Sequence, residues 1–194
     1  MRENELFFAK TKPNAIIPTK RKEDAAYDVY ACATETIVIP PCSTQMIDIG
    51  IAMACHESYF IKFFDKGGMG SKGIVVGAGV GDSGYRNSYF VPLINTNYDK
   101  YLVISSQTPE EVAKSEYFGV KVKKFASTSE LAYSQGDYSL CISKDGCIIK
   151  FLNKAIAQFV VLPVPDLKTK EISWEELQEI ESERGMGNLG STGK

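Results

Sequence analysis

Asp82 stands inside the run GAGVGDSGYRN (77–87), a carboxylate among glycines with Tyr85 three residues on. A carboxylate fixed at a rigid turn can act as general base on a water, and a ring beside it can wall a pocket. A turn-forming Asp in a plain hairpin has the same signature. The chain ends ERGMGNLGSTGK (183–194), where four glycines, two cations and a Ser-Thr pair fill the final stretch. Glycine permits the φ > 0 turns that aim successive amides at an anion, and Arg184 can fork two phosphate oxygens. A solvated tail is the alternative. Gly185, Gly187 and Gly190 fit G-x-G-x-x-G, but that motif needs a strand before it and a helix after it. GSTGK lacks both the first glycine and the final hydroxyl of a Walker loop. Neither nucleotide motif applies.

Two further stretches carry charge into apolar surroundings. Asp28 lies in DAAYDVYA (24–31), where it is a surface member of an alternating strand or a metal ligand. Lys66 and Lys72 flank the glycines of DKGGMGSKGI (65–74), which reads as a flexible connection or a phosphate nest.

Other chemistry is poorly supplied. His56 is the only histidine, which argues against Ser-His-Asp, Cys-His and most zinc chemistry. Five cysteines without paired CxxC spacing fit reduced thiols in a cytoplasmic protein, although Cys141 and Cys147 are close enough in sequence to clip a hairpin. A net charge of −2 leaves no basic footprint for nucleic acid. No apolar run is long enough for a membrane span, and the first ten residues lack a signal-peptide core.

The elements that must position these residues are mostly strands. Runs at 36–39, 45–53, 58–64, 73–80, 88–94, 100–106, 120–125, 147–152 and 156–164 are rich in β-branched and aromatic residues and punctuated by Gly, Pro, Asn and Asp. That pattern predicts an all-β sandwich or barrel. Helices are expected only at 108–118, behind a Thr-Pro start, and at 173–183, where Ser173 and Glu176 have capping-box spacing.

The order and spacing of these stretches resemble the five motifs of the trimeric dUTPases, the deoxyuridine triphosphate nucleotidohydrolases. DAAYDV is similar to the first motif, DKGGMG to a drifted second and GAGVGDSGYRN to the third. NKAIAQFVV (153–161) is similar to the fourth, and RGMGNLGSTG (184–193) to the fifth. The resemblance implies a distorted β-barrel or jelly roll, a homotrimer with active sites shared between chains, and Mg²⁺-dependent hydrolysis of dUTP to dUMP and pyrophosphate. It makes Asp82 the catalytic carboxylate, Tyr85 the ring under the deoxyribose, and Asp28 a metal holder acting through water. Lys66, Gly67, Gly68, Gly79, Gly81 and Gln158 become substrate-binding positions, and Arg184, Leu189, Gly190, Ser191 and Thr192 those of a closing arm.

Departures accompany the likeness. Lys66-Gly67-Gly68 replaces the family's Arg-Ser-Gly, a lost hydroxyl worth about 1–3 kcal/mol of binding. Ala26 replaces a Gly, Asn153-Lys154-Ala155 replaces Gly-Asp-Arg, and Leu189 replaces a uracil-stacking Phe. The expected organisation is a barrel over 1–165, interrupted by a small β/α insertion at about 97–147, then a short helix and arm over 166–194. The insertion carries six lysines against seven acidic residues, so it is no nucleic-acid patch. Its tyrosines pack a satellite hairpin or offer a protein-partner surface, and its place is similar to insertions of some phage-encoded members. Two other readings remain: a dCTP deaminase or bifunctional relative, and a weakened nucleotide-binding regulator acting through the insertion.

Overall fold

A computed structural model describes residues 4–122, 138–183, 185 and 187, the side chains at 119–122 and 138–140 excepted. The described chain is mostly β, as expected. Strands β1 (Leu6–Lys10), β2 (Tyr27–Val29), β3 (Ile37–Ile39), β4 (Ser43–Asp48), β5 (Ile51–Cys55) and β6 (Tyr59–Asp65) come first. One helical turn, α1 (Gly67–Gly70), precedes β7 (Ile74–Val76), β8 (Val80–Gly81), β9 (Phe90–Asn95) and β10 (Tyr101–Ser105). Then follow α2 (Pro109–Lys114), β11 (Tyr117–Val122), β12 (Tyr138–Ser143), β13 (Cys147–Phe151), β14 (Ala157–Pro163) and α3 (Trp174–Gln178).

Five small sheets result, ordered β1-β5, β13-β10-β3, β11-β12, β2-β14-β6-β8 and β4-β9-β7. Within them only β10 and β13 run parallel; the other described pairs are antiparallel. Alternation sets the inward faces: Ile51, Met53 and Cys55 of β5 are buried while Ala52 and Ala54 are only half-buried. Phe159 on β14 is fully buried, stacks on Tyr27 at 5.1 Å and meets Phe8 and Phe63 at a tilt. That aromatic cluster holds β1, β2, β6 and β14 together.

The chain departs from the expected strands in definite ways. The run at 45–53 breaks into β4 and β5 at Gly50 (φ 65°), and the run at 73–80 breaks into β7 and β8. Strands β1 and β12 lie outside the strand runs expected from the sequence. The stretch 65–74 is not a flexible loop: Met69, 0% exposed, pins α1 against the core with about 2 kcal/mol of burial. Helix α2 has the Thr108–Glu111 capping box but stops at Lys114, because Ser115 is extended and β11 begins two residues later. Ser173 and Glu176 cap each other as their spacing predicted, but α3 reaches only Gln178.

β10 is built into the core. Residues 101–105 form β10, the middle strand between β3 and β13, with Leu102, Val103 and Ile104 all 0% exposed. The segment from α2 through the β11–β12 hairpin follows β10 in the chain. Val112 and Phe118 pack it onto Val103, and Lys144 Nζ donates to the Val112 carbonyl at 2.8 Å at the C-terminal end of α2.

The chain divides into two compact units, Met1–Val164 and Pro165–Lys194. The second unit holds α3, whose Trp174, Leu177 and the following Ile180 are exposed. Among the described residues, no helix is long and apolar enough to cross a membrane. All five cysteines are unpaired, so Cys141 and Cys147 form no clip.

Candidate active site

Asp82 follows β8 directly and is exposed at the end of a braced turn. Tyr85 N donates to the Asp82 carbonyl at 3.1 Å, and Tyr89 Oη donates to the same oxygen at 3.2 Å. Tyr85 Oη donates to the Ser88 carbonyl at 3.1 Å, and its ring meets the Tyr89 ring edge-on at 4.9 Å. The Tyr85 ring keeps 41% exposure, enough to present a face to a ligand. Arg86 closes the turn from outside through the carbonyls of Ser83 and Tyr85. Burial first, then the neighbouring Cys55 and Asp82, push the Tyr89 phenol up to about 12.

Two glycines are fixed by close approach. A Cβ on Gly79 would sit 2.7 Å from the Phe63 carbonyl oxygen, and one on Gly81 would sit 2.6 Å from Tyr89 Cε1. Both positions let β8 lie tight against β6 and the Tyr89 ring, so their first task is to hold the Asp82 turn in place.

The second group of expected residues lies at a different place in the same sheet. Asp28 on β2 pairs in register with Gln158 on β14, which pairs in turn with Phe64 on β6. Lys66 Nζ reaches Asp28 Oδ1 at 2.6 Å across that row. Gln158 Nε2 donates one bond to the Asp65 carbonyl at 2.8 Å, leaving its second N–H for another acceptor. These residues line an open cleft of about 630 Å³ together with Thr19, Lys20, Arg21 and Asp24. The cleft cations at 20 and 21 were missed in the sequence, where KRKED looks like an ordinary solvated charge run. Arg21 and Asp24 pair bidentately at 2.9 and 3.0 Å, which holds the Asp24 carboxyl below its usual range.

Lys66 caps α1 with its carbonyl, accepting from Met69 N at 2.7 Å and Gly70 N at 2.9 Å. Gly67 and Gly68 have open space where a Cβ would stand, so packing within this chain does not require glycine there. Lys72, Lys66 and Lys154 lie near Lys150; burial, then these like charges, hold the Lys150 amine below its usual range.

One chain does not bring the two groups together. Gly81 faces Ile61 of β6, three residues from Phe64, and β8 lies three strand steps from β2. At about 3.4 Å per residue and about 4.8 Å per strand, the backbones of Asp28 and Gly81 are on the order of 17 Å apart. Arg184, Leu189, Gly190, Ser191 and Thr192 lie outside the described residues. His56 is occupied locally, its Nδ1 3.0 Å from Ser58 Oγ and 3.2 Å from Ser58 N. Among the described residues, no group of three or more His, Cys, Asp or Glu side chains is placed to hold a metal ion.

The comparison with known sequences decides the family. A model of the dUTPase family matches residues 12–108, half of the chain and all of the Asp28, Lys66 and Asp82 stretches. The chain belongs to the dUTPase family. The deoxyuridine 5'-triphosphate nucleotidohydrolase of Wolinella succinogenes is 27% identical over 135 residues, covering 68% of this chain and 87% of that one. Among solved structures, the Staphylococcus bacteriophage 80alpha dUTPase, in a mutant bound to dUpNHpp, aligns with a TM-score of 0.65 at 24% identity. That alignment covers 98% of this chain and 99% of that one, so the shared dUTPase fold takes in the segment beyond residue 108. The dUTPase of the S. aureus phage phi11, described with a coordinated structural Mg(II) ion, aligns with a TM-score of 0.59 at 22% identity, over 87% and 97% of the two chains.

Proposed function

We propose that this dUTPase-family chain hydrolyses dUTP to dUMP and pyrophosphate, with Asp82 orienting and deprotonating the attacking water. The observation that carries the reading is the braced turn. It leaves the Asp82 carboxylate exposed beside a half-open Tyr85 ring whose hydroxyl is tied down at Ser88. A fixed base beside a fixed ring suits in-line attack on the innermost phosphorus, where positioning supplies most of the catalysis. Tyr85 lies under the deoxyribose and collides with a 2′-hydroxyl, excluding UTP.

The lysine-lined cleft suits the triphosphate. Lys66 supplies a cation, the open glycines at 67 and 68 allow close approach, and Gln158 offers its free N–H. Asp28, already paired with Lys66, fits Mg²⁺ only through water, with phosphate oxygens as the main ligands. Held there, Mg²⁺ would supply positive charge against the phosphates.

The separation of Asp82 from Asp28 supports a homotrimer in which different chains supply the two groups and a third sends the arm of Arg184, Leu189, Gly190, Ser191 and Thr192. An apolar outer face on β4 and β9, with Met46 58% and Phe90 45% exposed, suits such packing. Five unpaired thiols suit a reducing cytoplasm. The β11–β12 hairpin, where Tyr117 is exposed, is the segment that would meet a protein partner.

The test is to incubate the protein and Mg²⁺ separately with dUTP, UTP, dTTP and dCTP, measuring pyrophosphate and ammonia. Pyrophosphate from dUTP alone is expected. Asp82→Asn should bind dUTP normally and turn over about 10²–10⁴-fold more slowly. Ammonia from dCTP would replace the reading with the deaminase, and normal turnover by Asp82→Asn would end the proposed role of that residue.

A further inference from the structure

Nothing in the sequence marked Asp48 or Ser88, yet both are built into the turn that carries Tyr85. Asp48 ends β4 with its side chain 17% exposed, and Ser88 is 8% exposed just before β9. Ser88 Oγ donates to Asp48 Oδ1 at 2.8 Å and accepts from Thr11 Oγ1 at 3.0 Å. The same Asp48 oxygen accepts from Gly50 N at 2.7 Å, while Oδ2 pairs with Lys12 Nζ at 2.6 Å. Burial opposes ionisation of Asp48, but the bonds from Lys12, Gly50 and Ser88 outweigh it and hold the carboxyl below its usual range. The backbone next to Ser88 is fastened as well: Tyr89 N donates to the Ile51 carbonyl at 2.9 Å and Ile49 N to the Tyr89 carbonyl at 3.2 Å.

The consequence reaches the ligand side. The carbonyl of the residue so anchored, Ser88, is the acceptor for Tyr85 Oη. The ring that is to face the sugar is thus referenced, through one residue, to an ionised carboxylate braced by three donors. A phenol held only by its T-shaped contact with Tyr89 could rock by enough to admit one more hydroxyl.

We infer that Asp48 and Ser88 are positioning residues that set discrimination between deoxyribose and ribose by fixing the Tyr85 ring. The inference rests on the dUTP reading above, but it can fail alone. The experiment measures kcat/KM for dUTP and for UTP in the wild type, Ser88→Ala, Asp48→Asn, Tyr85→Phe and Ser88→Ala/Tyr85→Phe, with melting temperatures alongside. Val112→Ala, a core truncation in the separate cluster with Val103 and Phe118, controls for lost stability.

Ser88→Ala and Tyr85→Phe are each expected to lower the dUTP-to-UTP ratio about tenfold or more, chiefly through gained UTP hydrolysis. Asp48→Asn keeps the acceptor for Ser88 and should lower the ratio less. The double variant should lose no more than the larger single one, since both cut the same link. Val112→Ala should leave the ratio unchanged. A wild-type ratio in Ser88→Ala overturns the inference; should that variant not fold, a wild-type ratio in Tyr85→Phe, at a side chain that is 41% exposed, does so instead. A wild type without dUTP hydrolysis would instead reject the function itself.

Discussion

Tyr89 shows how one side chain joins the core to the proposed catalytic turn. Its ring stands 5% exposed beside Phe63, its hydroxyl holds the Asp82 carbonyl, and it forms a T-shaped pair with Tyr85. The phenol is raised from 10.0 to about 12, so the unfolded chain loses this proton first. Stability from the neutral phenol is therefore fully present below about pH 10 and lost as pH rises from about 10 toward 12, in total on the order of 2–3 kcal/mol. Urea unfolding across that window should show a downward slope for the wild type that is shallower in Tyr89→Phe. Equal slopes would mean that burial of this hydroxyl does not couple to folding. At the same scale, Lys66 illustrates a conflict between roles: its ammonium neutralises Asp28 at 2.6 Å, so a phosphate taking up Lys66 must share it with that carboxylate.

Among the elements, β10 is held from both sides, by β3 and by β13. Parallel pairing with β13 requires the chain to cross from the end of one strand to the start of the other, and α2 with the β11–β12 hairpin supplies that crossover. Buried Leu102, Val103 and Ile104 make β10 indispensable, so deleting 100–145 should give a chain that does not fold, contrary to an appendage. The hairpin end is a separate matter. Val122 and Tyr138 face each other in register, so an Asn-Gly turn replacing 123–137 joins them with the geometry that two-residue hairpins prefer. This shortened chain should fold and keep dUTP hydrolysis within about twofold of the full chain, since the joint imposes no strain. Loss of hydrolysis in a folded product, followed by circular dichroism and a nucleotide assay, would place the hairpin end in the catalytic assembly.

For the whole molecule, the sheet itself keeps Asp82 and the Asp28–Gln158 row apart, since three strand steps separate β2 from β8. A site completed between copies makes a specific prediction. Asp82→Asn and a chain lacking 184–194 are each expected to be inactive. Refolded together in equal amounts, they should regain activity at about a quarter of the sites, where one chain lends the carboxylate and another the arm. A mixture as inactive as its parts, with mixed oligomers verified by mass spectrometry, would mean that each chain builds its site alone.

The residues of the Asp82 turn, the capping boxes at Thr108 and Ser173, and the β-rich character were legible from local sequence because they depend on neighbours in the chain: glycine spacing, a hydroxyl three residues before a Glu, alternating apolar side chains. The same locality explains the family likeness, which rests on contiguous runs. Asp48, Ser88 and the cations at 20 and 21 were illegible, because a hydrogen bond spanning 40 residues or a cleft lined jointly by Lys20, Lys66 and Gln158 leaves no periodic trace. The run 100–106 was visible as a strand, but only pairing placed it as the middle strand between β3 and β13. Sequence determined which groups the molecule carries and which short elements hold them. Tertiary structure decided their partners, because burial and long-range hydrogen bonds are settled only when distant strands meet.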